Sequence, residues 1–302
     1  MLSGLVRVVP PSSIAAIVNV GDDTILHGLH ISPDLDTITY TLAGMDNRET
    51  GWGVAGESWT VMEELERLGG ESWFRLGDRD LATHLFRTER LRAGDSLTEV
   101  TSAIATRRQI EVRLLPVTDA PVRTMLTLAA DTILGPDGTE VAFQDYFVRL
   151  RHGVPVRAVR FAGAEDARPS ADVVAALSEA EQVVVCPSNP IVSIGPLLAI
   201  PGVLATLTAR RDVVTAVSPI VAGAALKGPA DRLMAELGTE PSVVGVARLY
   251  APWVSTLVID EVDRTSAAAV EAEGVRCVVA PTIMNSPEVA ASLAEVVIAA
   301  RG

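Results

Sequence analysis

The chain is short of positive charge. Lys and Arg number 25 against 38 Asp and Glu, a net charge of −13 over 302 residues. A nucleic acid or an anionic membrane is therefore a poor partner. There are two cysteines, Cys186 and Cys277. Each lies in a Val-rich run that reads as a core strand, so buried thiols in a reducing cytoplasm are expected rather than a disulfide. No signal peptide is evident, and no apolar run is long enough for a membrane span. The sequence also has no Cys/His zinc spacing, nucleophile elbow, Walker phosphate loop, internal repeat or flexible linker. The strand and Gly-rich turn that usually open a doubly wound fold are missing as well: Ser3 to Arg7 reads as the tail of a helix ended by Pro10 and Pro11. Charge, cysteine usage and the lack of a signal peptide or membrane span point to a soluble cytoplasmic protein.

What is present is concentrated in loops. The apolar run Ile14 to Val20 reads as a buried parallel strand. It empties into Gly21-Asp22-Asp23, then His27, then Ser32-Pro33-Asp34-Leu35-Asp36-Thr37. Open α/β sheets place ligands at such carboxyl ends. Four carboxylates crowded there repel one another unless a cation sits among them, and a hard divalent ion such as magnesium, holding a diphosphate, suits the need. An isolated Asp-x-Asp is more often just the first turn of a helix, here Leu35 to Leu42.

A second dense stretch is Leu76-Gly77-Asp78-Arg79-Asp80-Leu81-Ala82-Thr83-His84. Asp80, Thr83 and His84 share a helix face at i, i+3 and i+4; the competing reading is a capped helix start with a structural histidine. Two further loops follow predicted strands. Pro187-Ser188-Asn189-Pro190 runs on to Ser193-Ile194-Gly195-Pro196, and Ser218-Pro219-Ile220 is followed by Lys227-Gly228-Pro229. Both offer donors to a nucleotide phosphate or base, or are rigid turns that satisfy themselves. Asp260 to Arg264 reads as the start of a helix.

From Val156 onward, strands alternate with helices, which predicts a parallel sheet covered on both faces. The expected strands are Val156–Phe161, Gln182–Cys186, Asp212–Val217, Leu257–Asp260 and Arg276–Ala280. Residues 45–150 read as a helical and hairpin insertion or lid within one α/β domain spanning 1–302, with a capping box at Ser96-Leu97-Thr98-Glu99 and a turn at Gly135-Pro136-Asp137-Gly138.

The ordered stretches at Asn19–Asp23, Ser32–Thr37, Leu76–His84, Phe143-Gln144-Asp145-Tyr146-Phe147, Pro187–Pro196 and Ser218–Ile220 closely resemble the 2-phospho-L-lactate transferases of coenzyme F420 biosynthesis. The resemblance implies a Rossmann-like fold and a magnesium-dependent transfer. A phospho-C3-acid group, 2-phospholactyl or phosphoenolpyruvyl, would pass from a guanosine diphosphate-activated donor to the ribityl hydroxyl of the deazaflavin Fo, releasing GMP. It implies that Asp22, Asp23, Asp34 and Asp36 hold metal as a group, and that Asp78 or Asp80 orients the acceptor hydroxyl. Asp23, Arg79, Thr83 and His84 would line the Fo pocket; Ser188, Asn189, Ser193, Gly195 and Ser218 would hold the guanosine diphosphate. A homodimer is implied. So is a strand and Gly-rich loop upstream of Gly4-Leu5, without which lower stability and activity are expected. The competing reading is a non-catalytic nucleotide-sugar or cofactor-binding regulator of the same superfamily. The intact Pro33–Thr37 and Leu76–His84 stretches favour the enzyme.

Overall fold

A computed structural model of the chain describes residues 1–47 and 51–301. Helix α1 (Leu2–Val8) leads to strand β1 (Ala15–Val18), the apolar run expected to be a strand. The acidic stretch after it is not one loop. It folds into a hairpin, β2 (Thr24–Leu26) and β3 (Leu29–Ile31). His27 and Gly28 make its two-residue turn, both at positive φ (53° and 73°), as the right-handed twist of a hairpin requires. The hairpin delivers the chain to α2 (Pro33–Leu42), whose first turn carries Asp34 and Asp36.

The expected insertion over 45–150 sends its elements to different partners. Helices α3 (Thr60–Arg67) and α4 (Asp78–Arg92) precede α5 (Leu97–Arg107), which opens on the predicted Ser96/Glu99 capping box. Strand β4 (Arg113–Pro116) then pairs in parallel with β1, and α5 packs on it. Next come β5 (Arg123–Leu128) and β6 (Glu140–Ala142), the arms of the predicted hairpin, and a π-helical turn at Asp145–Arg149.

Strand β7 (Val156–Ala162) departs from expectation: it pairs antiparallel with β5 and does not join the parallel sheet. Its sequence gives the reason. Arg157 and Arg160 point outward and pair with Asp137 and Glu140, so one face is solvated, as antiparallel strands tolerate and doubly covered parallel strands do not.

Beyond α6 (Ala171–Glu179) the chain is doubly wound. Strand β8 (Val183–Val185) is followed by α7 (Gly195–Ala199) and α8 (Val203–Ala209), the latter not anticipated. Strand β9 (Val214–Val217) leads through the small hairpin β10 (Ile220–Val221) and β11 (Ala224–Ala225) to α9 (Ala230–Glu236) and an unanticipated, Ser242-capped α10 (Val243–Tyr250). Strand β12 (Thr256–Ile259), α11 (Ala267–Ala272), β13 (Arg276–Val279) and α12 (Pro287–Ala299) complete it. The four strands run parallel in the order β13-β12-β9-β8.

Successive residues of β12 serve opposite faces. Leu257 and Ile259 pack with Val246 of α10 and Val270 of α11, while Val258 packs with Leu293 and Val297 of α12. Helices therefore cover both faces, and the fold is Rossmann-like. One apolar core joins Val18 and Leu115 of the β1–β4 pair to Val185, Val214 and Leu257 of the larger sheet. The cysteines are free but less buried than expected: Cys186, just past β8, is exposed and Cys277 is half-buried. Among the described residues no single helix is long and apolar enough to cross a membrane.

Candidate active site

The ends of β1, β8 and β9, the start of α2 and the face of α4 open onto one cleft of about 1430 Å³. Asp22, Asp34, Asp36, Asp80, His84, Ser188, Asn189, Ser193 and Ser218 line it. Most residues singled out from sequence therefore meet there, from stretches up to 196 positions apart (218 − 22).

The acidic end is held by close approach. A Cβ on Gly21 would lie 2.7 Å from Thr124 Oγ1 and 2.9 Å from Pro196 Cβ, so only glycine fits between β5 and the start of α7. The Thr124 amide donates to the Gly21 carbonyl at 2.7 Å, and the Gln144 carboxamide donates to the Asp22 carbonyl at 3.0 Å. Asn19 works both ways, its Oδ1 accepting from the Gly21 amide and its Nδ2 donating to Asp34.

The four acids do not share one environment. Asp22 is buried, and its Oδ1 has no hydrogen-bond partner. Burial, reinforced by the charge of Asp34, pushes its carboxyl well above the usual range. Burial likewise raises Asp34 to about 6, against the hydrogen bond from Asn19. Asp23 turns away from the cleft and accepts a 2.7 Å hydrogen bond from Ser32 Oγ; burial raises it to about 8. Beside it, burial and then the charge of Arg87 lower His30 to about 4. Asp36 is engaged by Arg87 through both carboxylate oxygens.

Asp80 stands at the other side of the acids. Tyr40 donates to its Oδ1 at 2.5 Å, and His84 Nε2 lies 3.2 Å from its Oδ2. Burial alone would raise this carboxyl, but the close approach of His84, the hydrogen bond from Tyr40 and the charge of Arg87 bring it below its ordinary value. Asp36, Asp80 and His84 present ligand-type atoms all within 4.8 Å of one another. Within that group the Arg87 guanidinium already supplies a positive charge to Asp36.

The rest of the Leu76–His84 stretch serves the scaffold. Asp78 accepts from Ser58 Oγ at 2.7 Å and from the Thr60 and Val61 amides at 3.1 Å, capping α3. Arg79 is exposed and donates to the Ala55 carbonyl at 2.7 Å. Thr83 is buried beside Tyr40. None of the three forms part of the cleft wall, and neither does Asp23.

On the opposite wall, Asn189 Oδ1 caps the π-helical turn Pro190–Ile194 by accepting from the Ile191 and Val192 amides, leaving its amide nitrogen for a ligand. Ser218 Oγ is occupied locally, donating to the Ile220 carbonyl and accepting from the Ile220 amide. Gly195 is absent from the wall; a Cβ there would meet the Phe161 ring at 2.7 Å, a packing reason for glycine. Lys227 lines the cleft mouth with Arg149, Arg151 and a stack of Phe143, Phe147 and His152, the ring centroids 5.2 and 5.0 Å apart.

Sequence reasoning missed Tyr40 and Arg87. The signal was there in spacing: Tyr40 is i+4 from Asp36, and Arg87 is i+7 from Asp80. It missed Arg149, Arg151 and His152 because they end or follow a π-helical turn that no periodicity marks.

A family model for 2-phospho-L-lactate transferase CofD matches residues 1–294. The phosphoenolpyruvate transferase of Kitasatospora aureofaciens is 41% identical over 302 residues, covering 99% of this chain and 92% of that one. That of Streptomyces griseus is 41% identical over 97% of this chain and 92% of its own length, and that of Mycobacterium ulcerans 40% over 93% and 85%. A solved Bacillus halodurans protein of the UPF0052 family superimposes with a TM-score of 0.57 at 15% identity, over 98% of this chain and 95% of that one, which supports the fold alone. With nearly its whole length matched, the chain belongs to the 2-phospho-L-lactate transferase family of coenzyme F420 biosynthesis.

Proposed function

We propose that the protein transfers a phospho-C3-acid group from a guanosine diphosphate-activated donor to the ribityl hydroxyl of the deazaflavin Fo, with magnesium in the acidic end of the cleft. The observation that carries this reading is the Asp22 carboxylate: buried, with an unpartnered oxygen, beside the half-buried Asp34, whose carboxyl is also raised by desolvation. Two desolvated carboxylates side by side are costly without a cation, and their oxygens are the hard donors magnesium takes. Asp22 and Asp34 would hold the ion; Asp36 is committed to Arg87, and Asp23, with one oxygen on Ser32 Oγ and the other unpartnered, lies outside the cleft wall. Bound there, magnesium would supply charge neutralisation to the donor diphosphate.

The residues of the chain do the rest. Ser188, the free amide of Asn189 and Ser193 suit the guanosine diphosphate, with Lys227 a counter-charge at the mouth. Asp80, kept ionised by His84 and Tyr40, accepts a hydrogen bond from the acceptor hydroxyl and aims its oxygen at phosphorus. As the new P–O bond forms, the P–O bond to GMP breaks and GMP leaves with the electron pair. The hydroxyl proton passes to Asp80 Oδ2 or onward to solvent. A loose phosphoryl-transfer transition state asks little of a base, so alignment is the larger contribution.

Mixing the protein with Fo, magnesium and a guanosine-activated phosphoenolpyruvate or phospholactate tests this directly. GMP and the phosphodiester are expected, with one donor preferred. Binding of the nucleotide and Fo without any transfer would move the assignment to a non-catalytic regulator.

A further inference from the structure

Arg87 is 2% exposed and takes no part in the cleft wall, yet its guanidinium is turned toward site residues. It grips both oxygens of Asp36, and its Nη1 also lies 3.3 Å from His84 Nδ1. His84, 1% exposed, places its other ring nitrogen 3.2 Å from Asp80 Oδ2. Asp80, His84 and Arg87 stand at i, i+4 and i+7 on α4, and Asp36 and Tyr40 at i and i+4 on α2, so two polar stripes interlock across the helix pair.

We infer that Arg87 is a positioning residue for the transfer: through Asp36 and His84 it fixes the Asp80 carboxylate at the cleft wall. The inference rests on the transferase reading above. A guanidinium is permanently charged and planar, and its fork sets the plane of the carboxylate it grips. Asp36, so fixed, presents its Oδ2 3.6 Å from His84 Nδ1, and the imidazole can then meet Asp80 in only one orientation. A lysine would neutralise Asp36 without fixing that plane. A role confined to charge balance therefore predicts that lysine suffices; positioning predicts that it does not.

The test measures kcat and KM for the intact chain, R87K and R87M, each also in a D80N background. R87K should lower kcat about 10-fold and R87M about 100-fold, with both KM values within about twofold. Neither should lower kcat further once Asp80 is Asn, because the groups act as one unit. A general loss of folded protein would cost the same factor in both backgrounds. That result, or an unchanged kcat in R87M, overturns the inference. Crystal structures of the intact chain and R87K give a second reading that needs no turnover: the Asp80–His84 contact should be lost in R87K, and an unmoved pair overturns the inference. A displaced pair in R87K together with no transfer by the intact chain would leave Arg87 its positioning role and count against the transferase reading instead.

Discussion

The Asn19 carboxamide ties the end of β1 to the first turn of α2, its Nδ2 donating to Asp34 Oδ2 at 2.9 Å while its Oδ1 accepts from the Gly21 amide at 2.8 Å. One side chain thereby sets both the glycine turn and the carboxylate that faces Asp22. Asp22 has no such partner on its Oδ1.

That asymmetry predicts the behaviour of Asp22→Asn. Calorimetric magnesium binding should vanish and turnover fall on the order of 100-fold, as expected for loss of a ligand to a catalytic ion. In chelator, the same variant should melt higher than the unsubstituted protein, because a repelling buried charge is gone. A lower melting point with binding retained would refute the assignment.

Magnesium affinity should depend on pH. Asp34 titrates near 6 in the cation-free protein, and Asp22 is raised as well, so protons compete for the same oxygens. Affinity should weaken at least about tenfold for each pH unit below 6, with proton release on binding. Calorimetry at pH 5 and 7.5, in buffers of different ionisation enthalpy, reads both quantities. Equal affinity at the two values would contradict it.

Asp78 and Asp80 should separate cleanly. Asp78→Ala removes the cap of α3 and should lower the melting temperature by about 2–4 °C while kcat stays within about twofold. Asp80→Asn should do the opposite, lowering kcat on the order of 100-fold with little change in melting. Steady-state kinetics and a thermal melt of each variant decide it.

Asp23 should cost stability as pH rises. Its folded value near 8 lies above its ordinary value, so the folded state holds a proton that the unfolded chain releases from about pH 4 upward. Stability from this group is complete below that point and declines up to about 8. Asp23→Asn keeps an acceptor for Ser32 and should be more stable than the unsubstituted chain at pH 8 by at least ~1 kcal/mol, the gap closing toward pH 4. Melting curves across that range in chelator are the check.

Gly195→Ala should act through packing rather than nucleotide binding. The added Cβ meets Phe161 and should cost about 1–3 kcal/mol. The KM for the guanosine-activated donor should stay within about twofold. A large rise in that KM with unchanged stability would return Gly195 to the nucleotide site.

Local chemistry in the sequence determined a good deal. Val-rich runs marked β8, β9, β12 and β13, because strands buried on both faces must be apolar throughout. Ser96 and Glu99 marked the start of α5, since the capping box is contained in four residues. The acids of Gly21–Asp36 and Leu76–His84 marked two dense polar stretches, and Asp22, Asp34, Asp36, Asp80 and His84 from them line one cleft. Tertiary structure decided what needs two distant stretches at once. Only the pairing of β7 with β5 took that strand out of the parallel sheet. Only the crossing of α2 and α4 gave Asp36 to Arg87 and Asp80 to His84 and Tyr40, and only the packing of α3 turned Asp78 into its cap. A carboxylate's role is set by which charges and donors meet it and whether water still reaches it, and neither is written in its neighbours along the chain.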